Sequence, residues 1–344
     1  MDHVLPGRLM AAEMAAQPSV LAALDHRRSL LIERVRAVLP SPHIGTVLVA
    51  RGSSDNAAVF GRYVLELAGR RPVALAAPSL HTLYGARTRA GGYLAVAVSQ
   101  SGRTPEIVTT LRRLRRAGAV AVAITNEPDS QLGAAADAVV DLGAGAEEAV
   151  PATKTFTAQI AAFAILAEAL GPVPWSHEDW AALPSAVSAV LDDPTPAQTA
   201  AAALEGAPGV IAVGRGLWYG TALEAALKLR ETTGMLAEGY SAADLRHGPI
   251  AVVEQAFPVL AFCPPGPTAA DMAELVALLR QRGAHVLTVS QAADAALGLP
   301  GGLAEAMLAI PATVRAQQVA LAASRARGLD PDAPAGLTKV TATH

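Results

Sequence analysis

A short segment between two structured stretches carries three hydroxyl side chains around one glycine. Residues 97–106 end an apolar strand in Ser99-Gln100-Ser101-Gly102 and then open a helix, where Thr104 fits the N-cap and Pro105 the first helical position. Free backbone amides at the positive end of a helix dipole suit a phosphate monoester. A turn that only caps its own helix is the alternative. Three hydroxyls favour binding, so we predict that Ser99, Ser101 and Thr104 are phosphate ligands.

A second candidate is a set of charged residues at helical spacing. Glu224, Lys228 and Glu231 are separated by four and three residues, so a helix places them on one face. The alternative to a catalytic role is an exposed, salt-bridged helix face, and composition alone favours that alternative.

Two single residues complete the candidates. His247 precedes Gly248-Pro249, where a helix must stop and the backbone must turn, and such a position presents an imidazole to a cleft. Lys339 lies near the end of the chain after a long stretch without lysine. In most proteins a lone histidine is structural or exposed and a terminal lysine is solvated, so neither residue carries a function by itself.

The elements that must position these residues alternate between strand and helix. A chain of 344 residues suits two domains, and apolar runs near residues 47, 73, 94, 120, 138, 210, 259 and 286 alternate with helical stretches. This order predicts an α/β fold with a mostly parallel sheet in each domain, flanked by helices. Leu191 to Pro196, rich in Pro and Asp, marks the boundary. The predicted bounds are 1–40 for N-terminal helices, 41–193 and 194–328 for the domains, and 329–344 for an ordered C-terminal tail.

The two predicted domains also begin alike. Val49-Ala50-Arg51-Gly52 aligns with Ala212 to Gly216, and in each case an apolar strand ends at an Arg-Gly turn that opens a helix. The match is short, but it falls where the boundary already predicts a new domain.

Composition excludes several classes of protein. A net charge of −3 supplies no field for a polyanion, and no Lys/Arg cluster comes with stacking aromatics, so we expect no nucleic-acid partner. The N-terminus lacks a leader pattern and the apolar runs are too short for a bilayer, which indicates a cytoplasmic protein without membrane contact. The single cysteine, Cys263, lies in an apolar run and is predicted to be a buried structural thiol.

Together these segments resemble the isomerase half of glucosamine-6-phosphate synthase and the related glucosamine-6-phosphate deaminases built from sugar-isomerase (SIS) domains. The resemblance covers nearly the whole chain, from Met10 to the tail, and rests on motifs in the family's order. They are Arg51-Gly52-Ser53-Ser54, Ser99-Gln100-Ser101-Gly102, Ala152-Thr153-Lys154, Ala222 to Glu231, and Arg246-His247-Gly248-Pro249.

The resemblance implies two SIS domains and a role for each candidate. Four residues would hold the phosphate: Ser99, Gln100, Ser101 and Thr104. Ser53, Ser54 and the backbone around Val150 would contact the sugar. Glu231 matches the carboxylate that moves a proton between C1 and C2, His247 the imidazole that helps open the ring, and Lys339 the tail lysine that meets the open-chain sugar. Such chemistry is within reach of these groups once burial tunes their pKa values.

Departures from the synthase decide which reaction we predict. The sequence shows no amidotransferase domain and no N-terminal cysteine nucleophile, which disfavours synthesis from glutamine. Arg103 replaces an acidic residue common in the synthase, and the ending resembles the deaminase tail, although Ala335 stands where relatives often carry Arg. The resemblance therefore predicts isomerising deamination of glucosamine 6-phosphate to fructose 6-phosphate and ammonia. It implies no metal or organic cofactor, and a homodimer with a shared active site.

Two alternatives stay open. The same phosphate ligands and base would serve a fructosamine 6-phosphate deglycase, or an enzyme for another amino sugar such as galactosamine 6-phosphate. A regulatory SIS protein that only binds a phosphosugar is the non-enzyme alternative. The presence of Glu231, His247 and Lys339 together argues against it.

Overall fold

The computed structural model describes residues 5–339 and contains two five-stranded sheets. Apolar runs such as those in the third and fourth strands are buried on both faces, as expected for parallel sheets covered by helices. The strands are β1 (Gly45–Val49), β2 (Val73–Leu75), β3 (Tyr93–Val98), β4 (Val120–Thr125), β5 (Ala138–Asp141), β6 (Gly209–Gly214), β7 (Leu236–Ser241), β8 (Pro258–Phe262), β9 (His285–Ser290) and β10 (Leu297–Gly298).

The α-helices alternate with these strands and also precede and follow them. They are α1 (Arg8–Ala15), α2 (Gln17–Arg36), α3 (Ser53–Gly69), α4 (Pro78–Thr82), α5 (Pro105–Arg116), α6 (Lys154–Leu170), α7 (His177–Asp192), α8 (Thr195–Ala203), α9 (Tyr219–Thr233), α10 (Ala242–Arg246), α11 (Ala269–Gln281) and α12 (Glu305–Ala326). None of the helices in residues 5–339 is both long enough and apolar enough to cross a membrane.

Each sheet reverses its strand order once. The first has the order β2-β1-β3-β4-β5 and the second β10-β9-β8-β6-β7, and every pairing is parallel. In the first sheet β1 lies between β2 and β3, and in the second β6 lies between β7 and β8. A crevice forms at the carboxyl ends of the strands where the order reverses, and α/β proteins bind ligands there.

The described chain divides into two compact units that are not continuous in sequence. We call residues 20–146 and 155–174 the first-sheet unit, which holds β1 to β5, and residues 5–19, 147–154 and 175–339 the second-sheet unit, which holds β6 to β10. The segment 147–154 and helix α1 thus belong with the second sheet, although the first sheet lies between them in sequence.

The α/β class is confirmed, with two parallel sheets, helices at the N-terminus and strands at the eight expected positions. The strands β7 and β10 were not predicted. In β7 the sequence Leu236-Ala237-Glu238-Gly239-Tyr240-Ser241 has no apolar run, and in β10 only two residues pair. Their strand state comes from pairing with β6 and β9, which local sequence does not encode.

The single cysteine follows β8 and is partly exposed rather than fully buried. Desolvation still raises the pKa of the Cys263 thiol to about 11, and its S–H points to the carbonyl of Ala261 at 3.5 Å. The thiol is therefore protonated at neutral pH, as a structural cysteine should be.

Candidate active site

The hydroxyl-rich segment lies in the first-sheet unit at the crevice between β1 and β3. It leaves β3 and enters α5, for which Thr104 is the N-cap and Pro105 the first residue, as predicted. The Thr104 side chain does not cap the helix; its Oγ1 lies 3.4 Å from Oγ of Ser99. The hydroxyls of Ser99 and Thr104 therefore face each other across the turn, and the amides of the first helical turn are not capped by Thr104.

The turn itself depends on Gly102. Its φ of 59° is left-handed, and a Cβ atom there would lie 1.9 Å from Oγ of Ser130. Hydrogen bonds from its amide to the Ser99 carbonyl and from the Leu132 amide to its own carbonyl, 3.2 and 3.0 Å long, fix the loop. The Arg103 amide donates to Oγ of Ser101 at 3.3 Å. Backbone contacts thus set most of the loop shape. The side chains of Gln100, Ser101 and Thr104 are partly exposed and available to a ligand, whereas Ser99 is buried.

Two further predicted residues begin helix α3, directly after β1. Ser53 is partly exposed, whereas Ser54 is buried and its Oγ accepts a hydrogen bond of 3.0 Å from Nε2 of Gln159. Gly52, with φ 60°, makes the turn that places both. Because all five residues of β1 pair with β3, the start of α3 and the Ser99 to Thr104 loop emerge at the same edge of the sheet.

In the second-sheet unit, the charged face of α9 is buried. The alternative that composition favours, an exposed and salt-bridged helix face, is therefore wrong. The Lys228 side chain is 1% exposed, Glu224 is equally buried, and Glu231 is 21% exposed. The Lys228 ammonium contacts both carboxylates, with Nζ 3.4 Å from Oε1 of Glu224.

Burial and charge act in opposite directions on this lysine. Desolvation lowers the pKa of Lys228, but the carboxylates of Glu224, Glu231 and Glu147 more than offset it, so the net pKa lies above the ordinary lysine value. The ammonium form is therefore stable inside the protein. Glu231 is the carboxylate of this face with the most exposed side chain.

His247 follows the last residue of α10, at the turn predicted for it. Its amide donates to the carbonyl of Asp244 at 3.1 Å, and Gly248 has a φ of 146° that reverses the chain before Pro249. The imidazole is exposed, and within residues 5–339 no side-chain hydrogen bond to it is found.

The tail residue Lys339 is the last one described, and it is anchored. Its Nζ lies 2.7 Å from Oε2 of Glu147, and its side chain is 22% exposed while that of Glu147 is fully buried. Val150, three residues after Glu147, donates its amide to the carbonyl of Asp332 at 3.1 Å. The tail and the segment around Val150 are therefore joined twice.

The structure thus brings two of the predicted catalytic residues into one charged cluster. Glu231 contacts Lys228, Lys228 interacts with Glu147, and Glu147 pairs with Lys339. His247 is not part of the cluster. The phosphate-ligand candidates lie in the first-sheet unit, together with Ser53 and Ser54.

Sequence reasoning missed Glu147, Arg51 and Asp332. Arg51 pairs with Glu106 in the first turn of α5, and Asp332 accepts the amides of Leu9 and Met10 at 2.8 Å. Signals existed for Glu147, which lies three residues before a predicted sugar contact, and for Arg51, which lies in the Arg-Gly turn and in the motif before Ser53. The contacts of Asp332 depend on residues distant in sequence, so no local pattern marks it.

Comparison with known proteins agrees with this architecture. The family described as "SIS domain" matches residues 45–169 and 203–312. A curated relative, glutamine–fructose-6-phosphate aminotransferase (isomerizing) of Zymomonas mobilis, is 32% identical over 96% of this chain, which spans 58% of that protein's length.

Two solved structures have the same fold. A candidate phosphosugar isomerase of Silicibacter pomeroyi superposes with a TM-score of 0.84 at 32% identity, covering 94% of this chain and 99% of that one. Glucosamine-6-phosphate deaminase of Thermotoga maritima superposes with a TM-score of 0.74 at 23% identity, covering 95% and 100%, a likeness of fold alone. With a family match over both sheets and a 32% identical relative along nearly its whole length, this chain belongs to the SIS-domain family and is related to the isomerase half of the aminotransferase and to phosphosugar isomerases.

Proposed function

We propose that the chain catalyses isomerising deamination of glucosamine 6-phosphate, giving fructose 6-phosphate and ammonia. The observation that carries the proposal is the buried charged face of α9, where Glu231 is the most exposed carboxylate beside a buried lysine. A carboxylate held in this way is suited to shuttle a proton at carbon. The curated relative is named as an isomerising aminotransferase of fructose 6-phosphate, and the same C1–C2 proton shift run in reverse serves deamination.

In the proposed reaction the phosphate binds at the Ser99 to Thr104 loop and His247 assists ring opening to the aldehyde. Glu231 removes the proton from C2, whose electrons form the C1–C2 double bond, and returns a proton to C1. The C1 oxygen takes up a proton and the C2 amine gives one up, so C1 becomes a primary alcohol and C2 an imine. Water then adds at C2 and ammonia leaves. Gln100 is a proposed phosphate ligand with Ser99, Ser101 and Thr104. Ser53, Ser54 and the backbone around Val150 are the proposed sugar contacts.

Lys339 is the residue proposed to meet the open-chain sugar. Its amine form can add to the C2 carbonyl of the open-chain ketose, with loss of water, to form an imine. We propose the enzyme as a homodimer in which His247 serves the partner's site. The bounds 41–193 and 194–328 for the SIS domains, with flanking segments 1–40 and 329–344, are part of the same proposal; residues 340–344 of the tail lie outside the described residues.

A substrate panel tests this proposal. Ammonia release is measured on glucosamine, galactosamine and N-acetylglucosamine 6-phosphates and on fructosamine 6-phosphate. We expect glucosamine 6-phosphate to give ammonia and fructose 6-phosphate in equal amounts. Release of glucose 6-phosphate from fructosamine 6-phosphate alone would instead show a deglycase. Tight binding of these sugars without turnover of any would show a regulatory phosphosugar-binding protein.

A further inference from the structure

A buried carboxylate outside the motifs contacts the tail lysine. The Glu147 side chain has no exposed surface, its Oε2 lies 2.7 Å from Nζ of Lys339, and its Oε1 accepts the amide of Thr153 at 3.0 Å. A pair at 2.7 Å is a charge-assisted hydrogen bond, shorter and stronger than a neutral one. Removing a carboxylate from water costs free energy, so the buried Glu147 carboxylate needs a cationic partner to offset that cost.

Several contacts hold this carboxylate in place. The Glu13 carboxylate accepts the amides of both Glu148 and Ala149, the second at 3.2 Å. Desolvation and the nearby Glu147 raise the pKa of Glu13, while these two amides and Lys339 lower it, with a net increase. Glu13 of helix α1 therefore fixes the backbone next to Glu147. These hydrogen bonds leave the segment around Glu147 little freedom to move.

The opposite side of the same backbone segment is fixed to the tail. The Val150 amide donates to Asp332, and the Asp332 carboxylate accepts the amides of Leu9 and Met10. Asp330 accepts the Gly7 amide at 2.9 Å. These bonds join α1, the segment 147–150 and residues 330–332 into one support that ends seven residues before Lys339.

The Glu147 carboxylate acts on two lysines. It pairs with Lys339, and it is one of the carboxylates that stabilise the charged form of Lys228, which itself contacts Glu231. A neutral residue at position 147 would remove the carboxylate that binds the Lys339 ammonium group. The lysine near the end of the chain would then lose this charge-assisted hydrogen bond.

We propose that Glu147 is the positioning residue for Lys339: it binds the lysine's ammonium group and holds the tail against the Lys228–Glu231 face. This inference rests on the proposed function, in which the Lys339 amine meets the open-chain sugar. Glu147 fixes where the nitrogen stands before the sugar arrives, so the tail need not be ordered anew in each cycle.

The test uses fructose 6-phosphate and sodium borohydride, which reduces an imine to a stable secondary amine. Peptide mass spectrometry then reads the fraction of Lys339 that carries the sugar. Glu147→Gln keeps the side-chain size and the acceptor for the Thr153 amide but removes the charge. We expect its trapping rate and kcat to fall about tenfold or more, with KM for the sugar phosphate within about twofold of the original, because the phosphate ligands are untouched.

Three controls separate positioning from folding. Glu148→Gln changes the neighbouring exposed carboxylate and should trap sugar normally. Glu147→Asp keeps the charge on a shorter side chain. Its rate of sugar trapping at Lys339 should exceed that of Glu147→Gln, even if Glu147→Gln has a lower melting temperature. In a Lys339→Ala background, Glu147→Gln should cause no further loss of kcat, because the two residues act as one unit.

The possible outcomes distinguish the two claims. Trapping in Glu147→Gln at the original rate overturns the positioning role while deamination stands. Ammonia release without any adduct at Lys339 in the original protein also overturns the inference and leaves the reaction intact. Absence of ammonia release from every sugar in the panel overturns the proposed function and the inference with it.

Discussion

The guanidinium of Arg51 donates two hydrogen bonds to the carboxylate of Glu106, from Nε at 3.0 Å and from Nη2 at 3.1 Å. Arg51 lies in the turn after β1, and Glu106 in the first turn of α5. The pair therefore ties the two turns that border the proposed phosphate site. The helix dipole stabilises the buried Glu106 carboxylate at the N-terminus of α5, but the same negative charge repels a phosphate. The Arg51 guanidinium neutralises this charge.

Replacing Arg51 by Ala should therefore weaken substrate binding rather than the chemical step. We expect KM for the sugar phosphate to rise about fivefold or more, with kcat less affected, because the unpaired Glu106 carboxylate opposes the phosphate. Steady-state kinetics measure both values. The double variant with Glu106→Gln removes that carboxylate charge and should recover most of the affinity; a double variant as weak as Arg51→Ala would show that Arg51 contacts the ligand itself.

Loss of a hydroxyl from the loop should also raise KM. Ser101→Ala and Thr104→Ala each remove one hydrogen bond to a charged group, worth about 1.5–3 kcal/mol. The control is Thr199→Ala, which removes an exposed helical hydroxyl of α8 that bonds to the Thr195 carbonyl. Unchanged KM values in both loop variants would remove these residues from the phosphate site.

The cysteine supplies a pH-dependent prediction. Because burial raises the pKa of the Cys263 thiol to about 11, the reactive thiolate is a minor form at neutral pH. Alkylation of the folded protein by iodoacetamide should be slow at pH 7 and should accelerate about tenfold per pH unit up to about pH 10. The rate for the urea-unfolded chain at the same pH gives the upper limit. Alkylation of the folded protein at pH 7 near that limit would contradict the claim that the Cys263 thiol is shielded.

A mixed dimer tests the shared site. His247→Ala and Glu231→Gln proteins, each inactive, should regain activity when their subunits exchange, since one site of a mixed dimer combines both intact groups. With random exchange about half of the dimers are mixed, so recovery should approach about one quarter of normal activity per total site. Exchange without recovery, with mixed dimers verified by mass, would show that His247 does not serve the partner's site.

Local patterns predicted most of the fold because its strands are strongly apolar and its turns are chemically distinctive. Thr104-Pro105 stands at the start of a helix because an N-cap and a fixed proline φ are local properties. The strand β7 was missed because it reads as Leu-Ala-Glu-Gly-Tyr-Ser and exists through its pairing with β6. Periodicity alone does not encode such a partner-dependent strand.

The site was predictable only in part for a similar reason. Spacing placed Glu224, Lys228 and Glu231 on one helix face, but whether that face is exposed or buried depends on what packs against it, and composition favoured the wrong answer. Glu147 and Lys339 are 192 residues apart, and their contact follows from tertiary folding. The resemblance to the family indicated Lys339, whereas its buried partner Glu147 is brought to it only by the folded chain.

The central claim, deamination through proton transfer at C1–C2, is tested most directly with glucosamine 6-phosphate that carries deuterium at C2. Ammonia and fructose 6-phosphate are quantified while NMR locates the label. We expect equal amounts of both products and part of the deuterium at C1, with Glu231→Gln slower by about 100-fold or more while it still binds the sugar. The control Glu238→Gln, whose carboxylate lies in a half-exposed pair with Arg230, should be unaffected. No ammonia from the labelled sugar, or near-normal label transfer in Glu231→Gln, would contradict the account.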